Sequence, residues 1–261
     1  MSLNATFDGT SMATKGWTGH NVERAVLDTQ KRYLLDPPDR DGSVEVNKKF
    51  PPRIIKYTGR LTGTSYANLT GTIIPAFSAF MYKDSDVKLI FADEATRYFN
   101  AQVQSMKDTK MESLFRFYDI NFICADPFSY DSTATTDTQS SVTADDTTYN
   151  VTNGGHYYAF PVVTITFNQD QAHVYLQNNN VSGNRFDVSK TFVTNDVLKI
   201  DCKNKTIKLN DVHAPAGFGD GGSESADWLT LATGVNELQV GTDDISIDID
   251  VALSFEKVYL S

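Results

Sequence analysis

The sequence predicts a mainly β protein made of two domains. Its 261 residues are enough for one large or two ordinary domains at roughly 150 residues each. Residues that favour strands are plentiful, with 16 Phe and 12 Tyr beside many Thr, Val and Ile. Short segments of alternating apolar and polar residues recur in both halves, whereas a single segment has a helical period. With 40% hydrophobic residues the chain can bury a core, which excludes disordered and fibrous classes.

The chain opens with strand and turn signals. Phe7 leads into Asp8-Gly9, a pair that favours positive φ and therefore marks a tight turn. Residues 36–43 are dense in Asp, Pro and Gly, which predicts an exposed loop. Residues 53–61, which follow a Pro-Pro pair, are predicted to form a strand.

One helix is predicted, over residues 72–82. Thr72 is its predicted cap, and Pro75 lies in the first turn, where its missing N–H costs nothing. An apolar stripe of this kind normally packs on a core, and we favour that role over a cofactor-binding or membrane-binding face. The apolar residues that share this face are Ile73, Ile74, Phe77, Phe80 and Met81.

Three more strands are predicted in the first half, at 87–91, 98–103 and 114–124. The segment 114–124 is apolar at odd and even positions alike, so both faces of this strand are expected to be covered. Asp126-Pro127 ends it, because proline cannot donate to a ladder and restricts the residue before it.

Residues 131–148 have a different composition from the rest of the chain. They are Ser, Thr, Asp and Ala with almost no large apolar group, and such a stretch cannot bury enough surface to order itself strongly. We interpret it as a linker that merges into an edge strand. The predicted domains are therefore 1–130, an N-terminal β domain with one helix, and 131–261, a C-terminal β-sandwich.

The second half has the pattern of a sandwich. Apolar residues alternate with Thr at 163–167, and the segments 198–202 and 207–209 predict a hairpin. Over 245–255 apolar residues alternate with Ser, Asp and Ala, so one face should be core and the other wet and acidic. Many short strands with turn signals and no helical period are typical of a sandwich.

Charge is unevenly distributed along the chain. The net charge is −10, with 16 Lys and Arg against 15 Asp and Glu in residues 1–130, and 7 against 18 in residues 131–261. An acidic half repels phosphate, so no sequence-specific nucleic-acid binding is expected. The basic pairs Lys31-Arg32 and Lys48-Lys49 are interpreted as solvated surface. No run approaches the roughly 18 apolar residues of a membrane helix, and no secretory signal is readable, so no membrane insertion is expected.

The cysteines and histidines do not predict a site. Cys124 and Cys202 lie in apolar-periodic segments and are interpreted as small buried thiols of a reduced protein. The histidines are scattered, which weakens a metal site, although ligands can converge from distant segments. They are His20, His156, His173 and His213. No metal and no cofactor are expected.

Two groups of carboxylates are candidates for chemistry. Asp248 and Asp250 lie two apart on one predicted strand and point to the same face, where they could act as acid and base or bind a metal. Alternation alone explains them as a hydrated sheet face, which we favour. Asp220, Glu224 and Asp227 could surround calcium with oxygen ligands. Their spacing matches no EF-hand loop, so an acidic surface loop is favoured.

No catalytic motif is complete. The Gly-rich run 217–222 lacks the lysine and the helix of a phosphate loop, and no GxSxG elbow occurs. Trp17, Trp228, Tyr157 and Tyr158 could stack on sugars, but packing is the favoured role of such large aromatics. We therefore expect no catalytic residues and no enzymatic activity.

An ordered series of short motifs runs along nearly the whole chain. In this order and spacing the sequence resembles the distal tail proteins of long non-contractile-tailed (siphovirus-type) bacteriophages of Gram-positive hosts, a phage tail component family. The motifs are Phe7-Asp8-Gly9, Arg40-Asp41-Gly42, the strand 53–61, the helix before Val87–Phe91, the strand Leu114–Cys124 running into Asp126-Pro127-Phe128-Ser129-Tyr130, Asn153-Gly154-Gly155, Phe160-Pro161-Val162, Leu198-Lys199-Ile200-Asp201 with Asn204, and Gly234-Val235-Asn236-Glu237-Leu238.

The resemblance implies a structural virion protein of the phage tail tip, made in the host cytoplasm. Such proteins form a hexameric ring that the first domain builds, while the second domain, a galectin-like sandwich, projects outward. The ring would join the tail tube protein and the tape-measure protein to the baseplate and to a tail-associated lysin or receptor-binding protein, and DNA would pass through it without being held.

Two alternatives stay open at this point. A carbohydrate-binding adhesion module of the tail tip would need an aromatic platform flanked by polar side chains, and a galectin-like fold does not by itself imply sugar binding. A wall-degrading enzyme would need a paired-carboxylate or metal site.

Overall fold

The protein is described here by a computed structural model over residues 3–25, 30–38, 41–182, 184–213, 228–242 and 247–260. The chain divides into two compact units, the first made of Met1–Ser132 with Tyr259–Ser261 and the second of Thr133–Val258. The predicted range 131–261 therefore includes three final residues that belong with the first unit. The prediction of a mainly β protein is confirmed by the strands of both units.

The first unit holds ten strands that precede the second unit in the described part of the chain. They are β1 (Ala5–Phe7), β2 (Thr10–Ser11), β3 (Trp17–Glu23), β4 (Lys31–Leu35), β5 (Val44–Lys49), β6 (Arg53–Thr62), β7 (Val87–Phe91), β8 (Arg97–Met111), β9 (Phe115–Cys124) and β10 (Ser129–Asp131). The strands predicted at 53–61, 87–91 and 114–124 are β6, β7 and β9, and the strand predicted at 98–103 is the start of the longer β8.

Most of these strands form one nine-stranded sheet. Its order is β2-β1-β7-β8-β9-β6-β3, with β10 pairing to β8 and to the final strand, β21 (Val258–Tyr259). Asp8 and Gly9 join β1 to β2 with φ angles of 51° and 71°, the left-handed values expected of an Asp-Gly turn. β4 and β5 form a separate two-stranded sheet.

The helical segment is longer than the sequence predicts. It begins with α1 (Tyr66–Asn68), passes through a π-helical turn at Leu69–Ile73 and continues as α2 (Ile74–Met81). The predicted start at residue 72 is therefore wrong. Pro75 cannot donate to the preceding turn, and the wider π-helical turn before it allows the helix to continue past the proline.

Ser65, and not Thr72, caps this segment. The hydroxyl oxygen of Ser65 accepts a hydrogen bond from the backbone N–H of Asn68 at 3.1 Å. Phe77 and Met81 on the apolar stripe are buried, so the stripe faces the core as predicted. None of the helices described is long and apolar enough to cross a membrane.

The core of the first unit joins the helix to the sheet. The ring of Trp17 is stacked on Phe77 with 5.3 Å between the centroids, and it meets Tyr57 edge-on at 5.4 Å. Burial raises the pKa of Tyr57 to about 12, in keeping with a fully enclosed ring. The favoured packing role of Trp17 is thereby confirmed.

The second unit has its own set of strands. They are β11 (Thr135–Val142), β12 (Thr147–Asn153), β13 (Val162–Phe167), β14 (Gln171–Asn178), β15 (Arg185–Phe192), β16 (Val197–Asp201), β17 (Thr206–Leu209), β18 (Val212–His213), β19 (Gly234–Gly241) and β20 (Ile249–Phe255). They form a six-stranded sheet, β11-β20-β13-β16-β17-β18, and a four-stranded sheet, β12-β19-β14-β15.

These two sheets pack face to face. The ring of Phe167 in β13 is stacked on Phe192 in β15, with 4.1 Å between the ring centroids. The predicted hairpin is β16–β17, and the predicted alternation of buried and less buried residues is present throughout β20. Residues 245–246 of the predicted strand 245–255 lie outside the described residues.

The segment 131–148 contains less linker than its composition predicts. Most of it belongs to strands, because β11 pairs with β20 and β12 pairs with β19. β11 is an edge strand, as predicted, and alternate residues along it are half-buried and exposed. Backbone hydrogen bonds to the apolar strands β20 and β19 order this polar stretch. The composition of its side chains gives no information about these backbone bonds.

Candidate assembly surfaces

The hairpin β4–β5 is the most exposed element of the first unit. Every residue of both strands is exposed to solvent. The strands are antiparallel, with Lys31 opposite Lys49 and Leu35 opposite Val44. A two-stranded hairpin is at best marginally stable alone in water, so this element is expected to rest against a partner.

The hairpin is longer than the connection between its flanking strands needs to be. It lies between β3 and β6, which are antiparallel neighbours with Glu23 opposite Lys56 near the end of the ladder. Two residues are enough to connect such strands, yet the connection here runs from 24 to 52. Connections of this length in compact domains are usually functional.

The hairpin presents apolar side chains to solvent. Val46 is 65% exposed, and Leu34 and Leu35 are each 60% exposed. Apolar residues clustered on one fully exposed element are typical of protein–protein contact sites.

Cations face each other at the base of the hairpin. Lys31 is opposite Lys49 and Arg32 is opposite Lys48, and like charges in opposite positions destabilise an antiparallel pair. Arg32 Nη1 lies 3.3 Å from Glu45 Oε2, an ion pair between exposed groups. The base of the hairpin would therefore be stabilised by an acidic surface.

A second surface of the first unit is the outer face of β9. Tyr118, Ile120 and Phe122 are buried on the core side, whereas Phe115 and Phe117 on the other side are only half-buried. The prediction that both faces of this strand are covered is therefore wrong for the single described chain. Its apolar outer face lacks a complete covering layer.

Charged groups partly shield this outer face. The guanidinium of Arg60 lies 4.4 Å from the centroid of the Phe115 ring, a cation–π contact. Lys56 Nζ lies 3.1 Å from Asp119 Oδ2, and the hydrogen bond to Asp119 raises the pKa of Lys56. The face thus mixes aromatic rings with paired charges, as interfaces do.

Asp248 and Asp250 each accept one hydrogen bond within the second unit. Asp250 Oδ1 accepts a hydrogen bond from Ser141 N–H at 2.6 Å, where Ser141 has a φ of 54° next to a register shift between β11 and β20. Asp248 Oδ1 accepts from the side-chain amide of Asn168 at 3.1 Å. Both residues are half-buried and alternate with buried neighbours, as the sequence predicts, and each carboxylate in addition accepts a hydrogen bond.

The other acidic candidates cannot be placed. Asp220, Glu224, Asp227 and the Gly-rich run 217–222 lie outside the described residues. Within the ranges that are described, no three His, Cys, Asp or Glu side chains come together as a potential metal site.

The aromatic candidates of the second unit fall into two places. The rings of Tyr157 and Tyr158 meet edge-on with 5.6 Å between their centroids, and Tyr158 is 47% exposed. Trp228 is half-buried and packs against Phe186 at 6.0 Å.

The histidines are also dispersed. His20 lies over the Phe117 ring at 6.1 Å in the first unit, and His173 Nε2 lies 3.2 Å from Asp187 Oδ1 in the second. His156 and His213 are exposed. Both cysteines are buried, as predicted.

Four buried asparagines of the second unit hold the backbone of residues 228–232, and we call this group the asparagine clamp. Two of them, Asn153 and Asn236, occur in motifs of the sequence analysis, which gave them no structural role. Side-chain amides both donate and accept, so each can replace a strand neighbour for an irregular backbone segment. The hydrogen bonds are Asn153 Nδ2 to Leu231 O (3.1 Å), Asn178 Nδ2 to Thr230 O (2.7 Å), Asn184 Nδ2 to Trp228 O (3.0 Å), Thr230 N to Asn184 Oδ1 (2.8 Å), Asn236 Nδ2 to Ala232 O (2.8 Å) and Ala232 N to Asn236 Oδ1 (2.8 Å).

Residues 154–259, which include the clamped segment, match the family model described as the C-terminal domain of the siphovirus-type tail component. The second half of the chain is therefore similar to the C-terminal domain of this tail component family. Over 209 residues, 79% of each chain, the protein is 24% identical to the distal tail protein of Bacillus phage SPP1. The resemblance to distal tail proteins that the motif order predicts is confirmed.

Solved structures share the fold of this protein. The crystal structure of the SPP1 Dit protein, described as a paradigm of the hub adsorption apparatus in phages that infect Gram-positive hosts, matches with a TM-score of 0.81 at 15% identity, covering 98% of this chain and 99% of that one. The baseplate of phage p2 in its activated conformation with Sr matches with a TM-score of 0.50 at 9% identity, covering 97% of each chain.

Proposed function

We propose that this protein is a structural component of the phage tail tip, whose first unit builds a hexameric ring between the tail tube and the host-adhesion device. The observation that carries the proposal is the similarity to the SPP1 distal tail protein, which extends in sequence over 79% of both chains. Because the match spans both units, the proposed role concerns the whole chain and not one domain borrowed from another context.

The two assembly surfaces support self-association of the first unit. The exposed hairpin and the open face of β9 are different surfaces, so a contact between them joins neighbours head to tail. Head-to-tail contacts generate a ring when the rotation between neighbours closes. Each copy would then cover the apolar face of the next, which is the layer that a single chain lacks.

The charge distribution agrees with such a ring. Residues 1–130 are nearly neutral, with 16 cationic against 15 anionic residues, so copies can approach each other without strong repulsion. The acidic second half does not attract phosphate, which suits a ring through which DNA passes without being held. The proposed partners are the tail tube protein, the tape-measure protein and a tail-associated lysin or receptor-binding protein. The proposed location is the virion, after synthesis in the host cytoplasm.

We also propose that the protein has no enzymatic activity. The carboxylate pair that suggested acid–base chemistry, Asp248 and Asp250, is engaged by an amide side chain and a backbone N–H. An oxygen of each carboxylate therefore contacts a donor of the protein itself, a structural role that explains the pair without catalysis.

A charge introduced into the hairpin tests the ring. Val46→Asp places a carboxylate on a side chain that is 65% exposed, so the single chain should fold normally while the contact is lost. Native mass spectrometry and negative-stain electron microscopy, with and without the tail tube and adhesion proteins, should show six-membered rings for the natural sequence and none for Val46→Asp.

The matched control is Val212→Asp. Val212 is 69% exposed and lies in the second unit, outside both assembly surfaces. Rings that persist in this variant and vanish in Val46→Asp support the proposal. A natural sequence that stays monomeric with every tail partner, or rings that tolerate Val46→Asp, would contradict it.

Carbohydrate adhesion is a second candidate function because one observation favours it. Tyr157 and Tyr158 form an edge-on pair, and Tyr158 presents 47% of its surface to solvent, as a sugar-stacking ring does. A glycan array and a cell-wall binding assay decide between the two. Binding that Tyr158→Ala abolishes would place the protein among adhesins, whereas no binding leaves the structural role alone.

A further inference from the structure

The sheet of the first unit is completed by the last strand described, β21, which begins at the final residue of the second unit. β10 is the last strand before the second unit, and it pairs with β21. Tyr259–Ser261 belong to the first unit, while Thr133–Val258 form the second. We call residues 258–260 the return strap. The second unit is thus inserted between two paired strands of the first.

Buried contacts anchor the return strap. Arg53 in β6 is 2% exposed, and its Nη2 donates to the backbone oxygen of Leu260 at 2.6 Å. The guanidinium of Arg97 in β8 lies 3.7 Å from the centroid of the Tyr259 ring. A buried guanidinium needs acceptors, so losing the strap carbonyl would be costly for the first unit. The strap therefore contributes to the stability of the core-facing strands β6 and β8.

Folding of the second unit lowers the entropy cost of pairing the return strap with β10. If the second unit is unfolded, β10 and β21 are joined by a long flexible loop, and closing that loop costs conformational entropy. If the second unit is folded, its two ends are held in fixed positions and the entropy of the intervening chain has already been lost. The effective concentration of the strap at β10 is then higher.

We propose that folding of the second unit stabilises the first unit through the return strap, so the two units are energetically coupled. The coupling acts through chain connectivity. If the first unit builds the ring as proposed above, a chain whose second unit has not folded would present a weakened first unit and be disfavoured in assembly.

Hydrogen exchange of the full chain tests the coupling without any ring. Phe167→Ala removes a fully buried ring from the core of the second unit, and Phe167→Leu is the milder alternative if the first variant does not accumulate. Amides of β13 report the second unit, and amides of β10 and of Arg97–Phe99 in β8 report the strap edge. We expect faster exchange at β13 and, in addition, exchange about fivefold or more faster at the strap edge.

A double variant separates coupling from general destabilisation. Tyr259→Ala weakens the strap, and adding Phe167→Ala to it should then accelerate the strap edge no further. Tyr82→Ala, at a tyrosine that is 74% exposed in the first unit, is the matched control and should change neither unit. If β13 exchange rises while the strap edge is unchanged, or if both substitutions act independently on the strap edge, the proposal is wrong. Because these measurements need no ring, their failure is distinguishable from failure of the proposed function.

Discussion

Gly155 lies where a side chain would meet the backbone of another segment. A Cβ at this position would be 2.7 Å from the oxygen and 2.9 Å from the nitrogen of Val258. Backbone atoms cannot move aside as the end of a side chain can, so Gly155→Ala should destabilise the second unit by about 1–3 kcal/mol. Urea unfolding followed by tryptophan fluorescence, with Trp228 as the reporter in this unit, measures the change.

Gly154 provides the matched control in the same motif. A Cβ there would meet only the flexible side chain of Lys257, at 3.7 Å. Gly154→Ala should therefore change the free energy of unfolding by less than about 0.5 kcal/mol. If the two substitutions lower the free energy of unfolding equally, close packing does not require a glycine specifically at position 155.

Cys202 should be chemically inert in the folded protein. Burial raises the pKa of its thiol to about 12, from an ordinary value of 9.0, and a hydrogen bond with the Leu229 backbone opposes this only in part. The thiolate is the reactive form, so iodoacetamide at pH 8 should label Cys202 slowly in the native protein and quickly in urea. Because the pKa of Cys202 is higher in the folded than in the unfolded protein, the buried thiol contributes its full stability below pH 9. This contribution to the free energy of unfolding is lost as the pH rises towards 12. Rapid labelling of the native protein, read by peptide mass spectrometry, would overturn this expectation.

At the scale of elements, the asparagine clamp holds residues 228–232 together with one isolated backbone bridge between Leu231 and Ala159. Asn236 is fully buried, and its side chain bonds both the N–H and the oxygen of Ala232 at 2.8 Å. Asn236→Ala removes these bonds and leaves the partly buried backbone groups of Ala232 without them, so the second unit should lose about 1–3 kcal/mol. Chemical denaturation gives the loss, and hydrogen exchange at Ala232 should accelerate.

Asn150→Ala is the control for the clamp, since Asn150 is exposed on β12. A loss in Asn236→Ala no greater than in Asn150→Ala would show that the clamp does not hold the segment. The comparison separates a buried hydrogen-bonding role from the general effect of removing an asparagine from a strand region.

The β4–β5 hairpin illustrates what an element requires beyond its own sequence. Its strands carry short alternations broken by the basic pairs Lys31-Arg32 and Lys48-Lys49, which sequence reasoning assigned to solvated surface. That assignment is confirmed by exposure, but the pairing of the two strands was not predicted. No buried face imposes a period of two here, so the usual strand signal is weak.

At the scale of the whole molecule, we expect a protease to cut the chain first within the polar segment 131–148. Its strands are protected by pairing, whereas residues 143–146 form an exposed turn. The nicked protein should stay in one piece in native buffer, because β11 before the cut pairs with β20 after it. Limited proteolysis with mass spectrometry locates the cut, and size-exclusion chromatography shows whether the pieces remain together.

The two units are not expected to separate at this cut. β10 before the cut also pairs with β21 after it, so each unit draws a strand from both fragments. Pieces that separate without denaturant, or a first cut inside β11 or β12, would contradict it.

The sequence by itself determined the mainly β class, the turn at Asp8-Gly9, the buried stripe of the helix and the alternation along β20. These are local features, because turn preferences and side-chain periodicity depend on neighbouring residues. The order of short motifs also pointed to the phage tail family. Only the tertiary structure placed Asp250 at the backbone of Ser141, gathered the asparagine clamp and returned residues 259–260 to the first unit. Such arrangements join residues distant in sequence, and hydrogen-bond partners of that kind leave no periodic trace in the chain.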